Sequence, residues 1–295
     1  MVFEGFLEHR IVTPGADLFA LTGGDGPPLL LLHGYPQQHV TWHRVAPRLA
    51  ASFSLVIPDL RGYGDSAGPA PDAQHLNYSK RTMAADMTAL MTALGHPRFS
   101  IAGHDRGGRV AYRLALDHPD RVVRLAVLDI LPTFEVWQRM NTDAAMRSYH
   151  WLFLAQPAPL PERLIGLDPD FYLRHLLNRW AGSPQALDPA AVAEYARHFR
   201  KPSVIGATCE DYRAGASVDL EHDRADRAAG RRLSCPLLVL WGRQYLAGQA
   251  ASPLDVWRQW AGDVREVALE CGHFLAEEQP EACAAALREF FAGGS

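Results

Sequence analysis

Apolar positions along this chain follow two periods that take turns. Residues 6–22 alternate loosely, with Leu7, Ile11, Val12, Leu18, Phe19 and Ala20 as the apolar members, as an antiparallel edge hairpin would. Leu29 to Leu32 is instead a continuous apolar run bounded by turn residues, which predicts a strand covered on both faces in a parallel sheet. A helical pattern follows through Trp42, Val45 and Leu49, and Ser54 to Asp59 predicts the next strand. Met83, Met87, Leu90, Met91 and Leu94 recur at helical spacing, with Ser79 available as N-cap. Phe99 to Arg113 reads as a short buried strand that breaks through a tight turn into a helix, and Arg121 to Asp129 as a further strand. Strand and helix have then alternated often enough to predict a mostly parallel sheet with right-handed crossovers, covered by helices on both faces.

From Pro132 to Asp226 no strand-like run appears, and Phe171–Trp180 and Pro189–Phe199 predict helices. The strand pattern resumes at Cys235–Gly242 and Val264–Leu269, and an apolar-striped helix runs from Pro280 to Phe291. The expected organisation is an α/β core in two parts, 1–131 and 227–295, with a helical cap, 132–226, over the ends of the strands where open α/β sheets bind ligands.

Composition narrows the partner. At 295 residues and 48% hydrophobic, the chain suits one large domain or a core carrying an insertion. A net charge of −4 without a long run of one sign gives no footprint for nucleic acid or a membrane surface, so a small molecule is the expected partner. Cys209, Cys235, Cys271 and Cys283 lack C-x-x-C spacing and read as reduced thiols. No segment has the make-up of a signal peptide or a membrane span, and the expectation is a soluble cytoplasmic protein.

The candidate chemistry centres on Gly103-His104-Asp105-Arg106-Gly107, a G-x-nucleophile-x-G elbow with Asp where acyl-transfer hydrolases carry Ser. Asp105 alone is weak evidence, because Asp is also a favoured helix N-cap. Asp129 at the end of the following strand and His273 in the loop after the last one change the reading. Nucleophile, acid and His in that chain order, each at a strand's C-terminal end, form the constellation of hydrolases with this elbow. The segment Trp241–Leu246 has no carboxylate to compete with Asp129 as the acid.

The segments HGYPQQHVTWHRVAP (33–47), DLRGYGDS (59–66), GHDRGGRVAYRLALDHP (103–119), YHWLFLAQP (149–157), CEDYRA (209–214) and ECGHFLAEEQPE (270–281) resemble the fluoroacetate dehalogenases of the α/β-hydrolase superfamily. The resemblance runs nearly from end to end. It implies the α/β-hydrolase fold, with an eight-stranded, mostly parallel sheet and a helical cap, and a homodimer. It also implies Asp105 as nucleophile, His273 as base and Asp129 as its orienting acid, Arg106 and Arg109 as carboxylate-binding residues, and His150, Trp151 and Tyr212 as halide-binding residues. Trp180 matches a tryptophan lining the pocket. The backbone N–H groups of Tyr35 and Arg106 occupy the positions of the oxyanion hole. No metal or organic cofactor is implied.

The residue types support this chemistry on their own. Displacement at an alkyl carbon by Asp yields an ester that water can cleave, whereas Ser would leave an ether. Arg106 and Arg109, one helical turn apart, can hold the carboxylate of an anionic substrate and keep Asp105 ionised. Imidazole, indole N–H and phenol O–H are donors suited to a departing halide. The expected reaction is therefore hydrolysis of a short 2-haloacid, foremost fluoroacetate to glycolate and fluoride. Two rivals remain. An epoxide hydrolase would use cap tyrosines, for which Tyr149, Tyr172 and Tyr195 are candidates beside Tyr212. A non-catalytic protein that binds small acids through the same pocket is the other.

Overall fold

Leu29–Leu32 lies where its unbroken apolar pattern requires, in a strand with no exposed face. In the computed structural model, which describes residues 3–246 and 252–293, eight strands form one sheet: β1 (Leu7–Thr13), β2 (Ala16–Gly23), β3 (Pro28–Leu32), β4 (Ser54–Pro58), β5 (Phe99–His104), β6 (Val122–Leu128), β7 (Leu237–Gly242) and β8 (Val264–Leu269). The strand order is β1-β2-β4-β3-β5-β6-β7-β8. β1 and β2 pair antiparallel, as do β2 and β4, and every other pairing is parallel. Leu30 and Leu32 join the core on one face with Met83, Met87 and Val110, while Leu29 and Leu31 join the other with Trp42, Leu49 and Leu287. Alternate residues of one run thus serve two cores.

Helix α1 (Lys80–Ala93) begins at Ser79, whose hydroxyl accepts the Thr82 N–H, and it buries Met83, Met87, Leu90 and Met91. α2 (Asp105–Asp117) follows β5 directly. Residues 39–49, expected as one helix, form a 3-10 turn, His39–Trp42, and a separate short helix, Ala46–Leu49. Pro47 explains the break: without an N–H it fits a first helical turn but cannot continue one.

Between β6 and β7 the chain is helical. The elements that matter for the site are α3 (Tyr149–Leu154), α4 (Pro169–Trp180), α5 (Pro189–Phe199), α6 (Pro202–Ala216) and α7 (Val218–Ala228). After β8 come α8 (Leu275–Glu278) and α9 (Pro280–Ala292). No described helix is long and apolar enough to cross a membrane.

At one seam between the insertion and the core, Gln37 donates to the buried carboxyl of Glu277, against which Tyr195 of α5 also packs, and Thr41 donates to Gln37 at 3.0 Å. Burial is the main cause that pushes the Glu277 pKa up to about 8, opposed by these donors and Arg44 and aided by Glu278. The unfolded chain releases this proton near the ordinary value of 4.5. Stability from this group is therefore complete below about pH 4.5, declines up to about pH 8 and is level above it. A Glu277→Gln variant keeps the shape without the proton, so its melting temperature relative to the parent should rise across that window; a difference independent of pH would contradict the assignment.

Candidate active site

Asp105 is carried by a turn that only small neighbours permit. A Cβ on Gly103 would meet the Gly107 carbonyl oxygen at 2.5 Å, and one on Gly107 would meet that of His33 at 2.3 Å, so helix α2 packs directly on the strand loops. Asp105 itself has φ +46°. Its side chain does not cap the helix: His104 holds the N-cap position, and Asp105 Oδ1 instead accepts the Tyr35 N–H at 2.9 Å. Oδ2 remains free, 3.9 Å from His273 Nε2. Burial opposes ionisation of this carboxyl, but the positive charge around it, that of the Arg106 and Arg109 guanidiniums included, holds its pKa below the usual value.

His273, Asp105 and Asp129 come together as the chain order implies. Asp129 Oδ2 lies 2.6 Å from His273 Nδ1, and Asp129 Oδ1 accepts the Gly242 N–H at 2.9 Å. With a carboxylate as its partner, Nδ1 is the proton-bearing nitrogen, which leaves the Nε2 lone pair facing Asp105. Burial raises the pKa of Asp129 despite the bonds from His273 and Gly242. Two rings that the sequence did not single out hold the imidazole in place. His104, buried and driven down to about 3 mainly by desolvation, lies 4.5 Å away between centroids, and its Nε2 is 2.8 Å from the His273 carbonyl oxygen. Tyr245, from the loop after β7, lies against the His273 ring at 4.4 Å between centroids with the two ring planes tilted by 38°.

Arg106 and Arg109 lie on one face of α2, yet they are not equivalent. Arg106 is gripped by Asp211 of α6: Nε donates to Oδ2 at 3.0 Å, and Nη2 to Oδ1 at 2.5 Å and to the Asp211 carbonyl at 2.7 Å. Asp211 also accepts from Lys80 and, at 2.6 Å, from the Tyr63 hydroxyl. The Arg106 guanidinium lies 4.2 Å from the Tyr212 ring centroid, and Nη1 is buried without a partner. Arg109 Nη1 donates to the Leu131 carbonyl at 2.9 Å and the Thr133 hydroxyl at 3.2 Å, both neutral, and the guanidinium lies 4.4 Å from the Trp151 ring. With Lys80 also 3.4 Å from Asp219, two cations and two carboxylates offset one another around Arg106. Among the described residues no carboxylate forms an ion pair with Arg109, and its charge is left to act on Asp105 and on the space beside it.

The insertion supplies the opposite wall. His150 and Trp151 of α3, Trp180 of α4 and Tyr212 of α6 form an aromatic cluster, with His150 4.5 Å from Trp180 and 5.8 Å from Tyr212, and Trp151 5.9 Å from Tyr212. His150 Nδ1, Trp180 Nε1 and the Tyr212 hydroxyl are buried without hydrogen-bond partners. An unpaired buried donor costs about 1–3 kcal/mol, so these groups retain capacity to bond a ligand or water placed among them. Desolvation drives His150 down to about 3, so it stands there neutral, with one N–H to donate.

These residues surround a small cavity whose walls include Asp105, Arg109, Asp129, His150, Trp151, Trp180, Tyr245 and His273, with about 20 Å³ open to the centre of a water molecule. Arg106, Tyr212 and Tyr35 are fully buried beside these walls, the Tyr212 ring 5.8 Å from His150, 5.9 Å from Trp151 and 5.3 Å from Tyr35. Tyr149, Tyr172 and Tyr195 do not line the cavity: the Tyr172 ring stacks on Phe199 at 6.3 Å, and Tyr195 packs on Glu277. A larger cleft of about 490 Å³ near Tyr78 and Lys201 holds none of the candidate residues.

Comparison with known proteins agrees with this geometry. Residues 27–280 match the family described as alpha/beta hydrolase fold. The chain is 45% identical to the fluoroacetate dehalogenase of Burkholderia sp, over 98% of this chain and 95% of that protein. It is 34% identical to the soluble epoxide hydrolase of Corynebacterium sp. (strain C12), over 96% of each. The solved structure of ALR0039 from Nostoc sp PCC 7120 superposes with a TM-score of 0.97 at 50% identity and full coverage of both chains. Sheet order, elbow and sequence thus agree, and the chain belongs to the alpha/beta hydrolase family.

Proposed function

We propose that this protein is a hydrolytic dehalogenase of short 2-haloacids, with fluoroacetate as the leading substrate and glycolate and fluoride as products. The observation that carries the reading is Arg109, a buried cation held only by neutral oxygens and without an ion-paired carboxylate, on the wall of a cavity of about 20 Å³ that also presents Asp105. Such a place favours a very small anion over a neutral alkyl halide or a bulky ester.

In this mechanism one N–H from Arg106 and the free edge of Arg109 hold the substrate carboxylate. Asp105 Oδ2 attacks the carbon bearing the halogen, the carbon–halogen bond breaks with its electron pair, and the halide departs toward His150, Trp151 and Tyr212. Asp105 Oδ1 meanwhile stays in the oxyanion hole formed by Tyr35 and Arg106, as expected for the carbonyl oxygen of the resulting ester. The 3.9 Å between Asp105 Oδ2 and His273 Nε2 is too long for a direct hydrogen bond and suits a bridging water. His273, oriented by Asp129, takes a proton from that water as it adds to Asp105 Cγ and returns it to the ester oxygen as the Cγ–O bond breaks, so glycolate leaves as the alcohol and His273 is again neutral.

The rest of the proposal concerns setting. The helices between β6 and β7 serve as a cap that carries the halide donors. Buried, unpaired Cys209, Cys235, Cys271 and Cys283 suit a reducing cytoplasm. Exposed Leu160, Leu164, Leu167 and Phe171 form an apolar stripe that a homodimer would cover. The epoxide hydrolase relative keeps a second reading in view, favoured by Tyr245 as a hydroxyl-bearing ring on the cavity wall. Diol formation from a small epoxide without halide release from a haloacid would select it, and binding of haloacids without turnover would select a small-acid-binding protein.

Three outcomes follow. Purified protein given fluoroacetate or chloroacetate should release halide, and a His273→Asn variant should accumulate an Asp105 ester visible in the intact mass; no halide from either substrate would sink the reading. Arg109→Leu should raise KM and lower kcat/KM by on the order of 10²-fold, about 3 kcal/mol, because the lost contact serves ground and transition states alike. Tyr212→Phe should lower kcat on fluoroacetate by about 10²-fold and on chloroacetate by much less, since fluoride depends most on donated hydrogen bonds; equal losses would remove Tyr212 from the halide site.

A further inference from the structure

Three backbone segments cross beside His273 at contacts too close for any side chain. A Cβ on Gly272 would lie 2.1 Å from the Gly182 nitrogen, and one on Gly242 would lie 2.0 Å from the Gly272 carbonyl oxygen. The segments are the exit of α4 after Trp180, the loop after β7 and the loop that carries His273. Their crossing brings amide N–H groups together, and one carboxylate collects them. Glu278 Oε2 accepts from Gly182 at 2.9 Å, from Ser183 at 3.1 Å and from Gly272 at 3.0 Å, while Oε1 accepts from Phe274 at 3.0 Å. The His273 N–H itself donates to the Trp180 carbonyl at 2.9 Å. Glu278 therefore bonds the residues on both sides of His273 and the two that follow the α4 exit, with a single side chain.

We propose that Glu278 is the positioning residue for His273, fixing the imidazole against Asp105 and registering it with the Trp180 wall of the pocket. The inference rests on the proposed function for its kinetic consequence. Displacement of halide by Asp105 needs no base, whereas hydrolysis of the ester needs the His273 Nε2 lone pair aimed at a water. Loss of the Glu278 carboxylate thus acts on the second step and spares the first. Glu278→Gln keeps the shape but turns an –NH2 group toward at least one backbone N–H, so one amide of the cluster loses its acceptor. Asp129 itself is untouched, but the loop carrying His273 is held by fewer bonds, and the Asp129–His273 hydrogen bond loosens with it.

The experiment compares Glu278→Gln and Glu278→Asp with the parent. Under turnover with chloroacetate, the Gln variant should hydrolyse its ester at least tenfold more slowly, with the alkylation rate within about twofold, so that the Asp105 adduct accumulates in the intact mass. Glu278→Asp, which retains a carboxylate, should restore part of the hydrolysis rate. A second readout needs no substrate: the downfield proton resonance of the short His273–Asp129 hydrogen bond should broaden or vanish in the Gln variant at temperatures well below its melting point. Slowing of both steps alike, or no adduct with an unchanged resonance, overturns the proposal. If the parent releases no halide, the substrate reading fails alone and the resonance decides: retained in the Gln variant it overturns the role of Glu278, lost there and recovered in the Asp variant it supports it. Should the Gln variant not fold, the same criteria apply to the Asp variant, whose shortened side chain should slow hydrolysis more than alkylation.

Discussion

The bond between Arg106 and Asp211 ties the charge of the pocket to the way the insertion rests on the core. A guanidinium buried at the start of α2 is tenable only with a partner that returns the lost solvation, and α6 brings that partner from 105 positions away in the chain. Lys80 and Tyr63 complete the cluster from two other core segments. One consequence lies on the same helix: because Asp211 offsets Arg106, the positive potential in the cavity belongs to Arg109, which leans on carbonyl and hydroxyl oxygens alone. Another lies next door in sequence. Tyr212 is placed by the residue before it, so the group assigned to the leaving halide and a group assigned to the substrate carboxylate share one anchor.

The seam continues along α2. Tyr112 donates to Asp223 at 2.7 Å and Arg113 to Asp226 at 2.5 Å, both on α7. Tyr112 also lies 3.0 Å from the Thr133 hydroxyl that supports Arg109, so the second arginine too is linked to an aspartate of the insertion, through two hydroxyls. On the far side of the cavity the backbone crossing around His273 and Glu278 fixes the other edge. The pocket lies between these two polar seams, and its aromatic lining fills the gap.

Much of this was legible along the chain. The unbroken Leu29–Leu32 run, the Met83–Leu94 stripe and the elbow glycines are local signals, and they specified strand, helix and turn because each is settled within a few residues. Asp105, Asp129 and His273 were legible through their order at strand ends. Asp211, Thr133, His104, Tyr245 and Glu278 were not singled out, although His104, Asp211 and Glu278 lie inside segments that carried the family resemblance. An aspartate before a tyrosine, or the second of two glutamates, has no signature of its own; its role exists only once a distant arginine or a set of backbone amides has been folded against it. The same limit explains why Arg106 and Arg109 looked alike in sequence and differ in the fold.

Asp105 and Asp129 share one further property, a left-handed backbone at φ +46° and +56°. For residues with a Cβ this conformation is disfavoured, by roughly 1 kcal/mol or more, while glycine adopts it freely. The two carboxylates that the proposed chemistry relies on therefore sit on backbone that glycine would adopt more freely, while each also accepts a buried backbone N–H, Asp105 from Tyr35 and Asp129 from Gly242. The strain at these two positions is held in backbone dihedral angles, and the buried backbone amides that the carboxylates satisfy help to offset it.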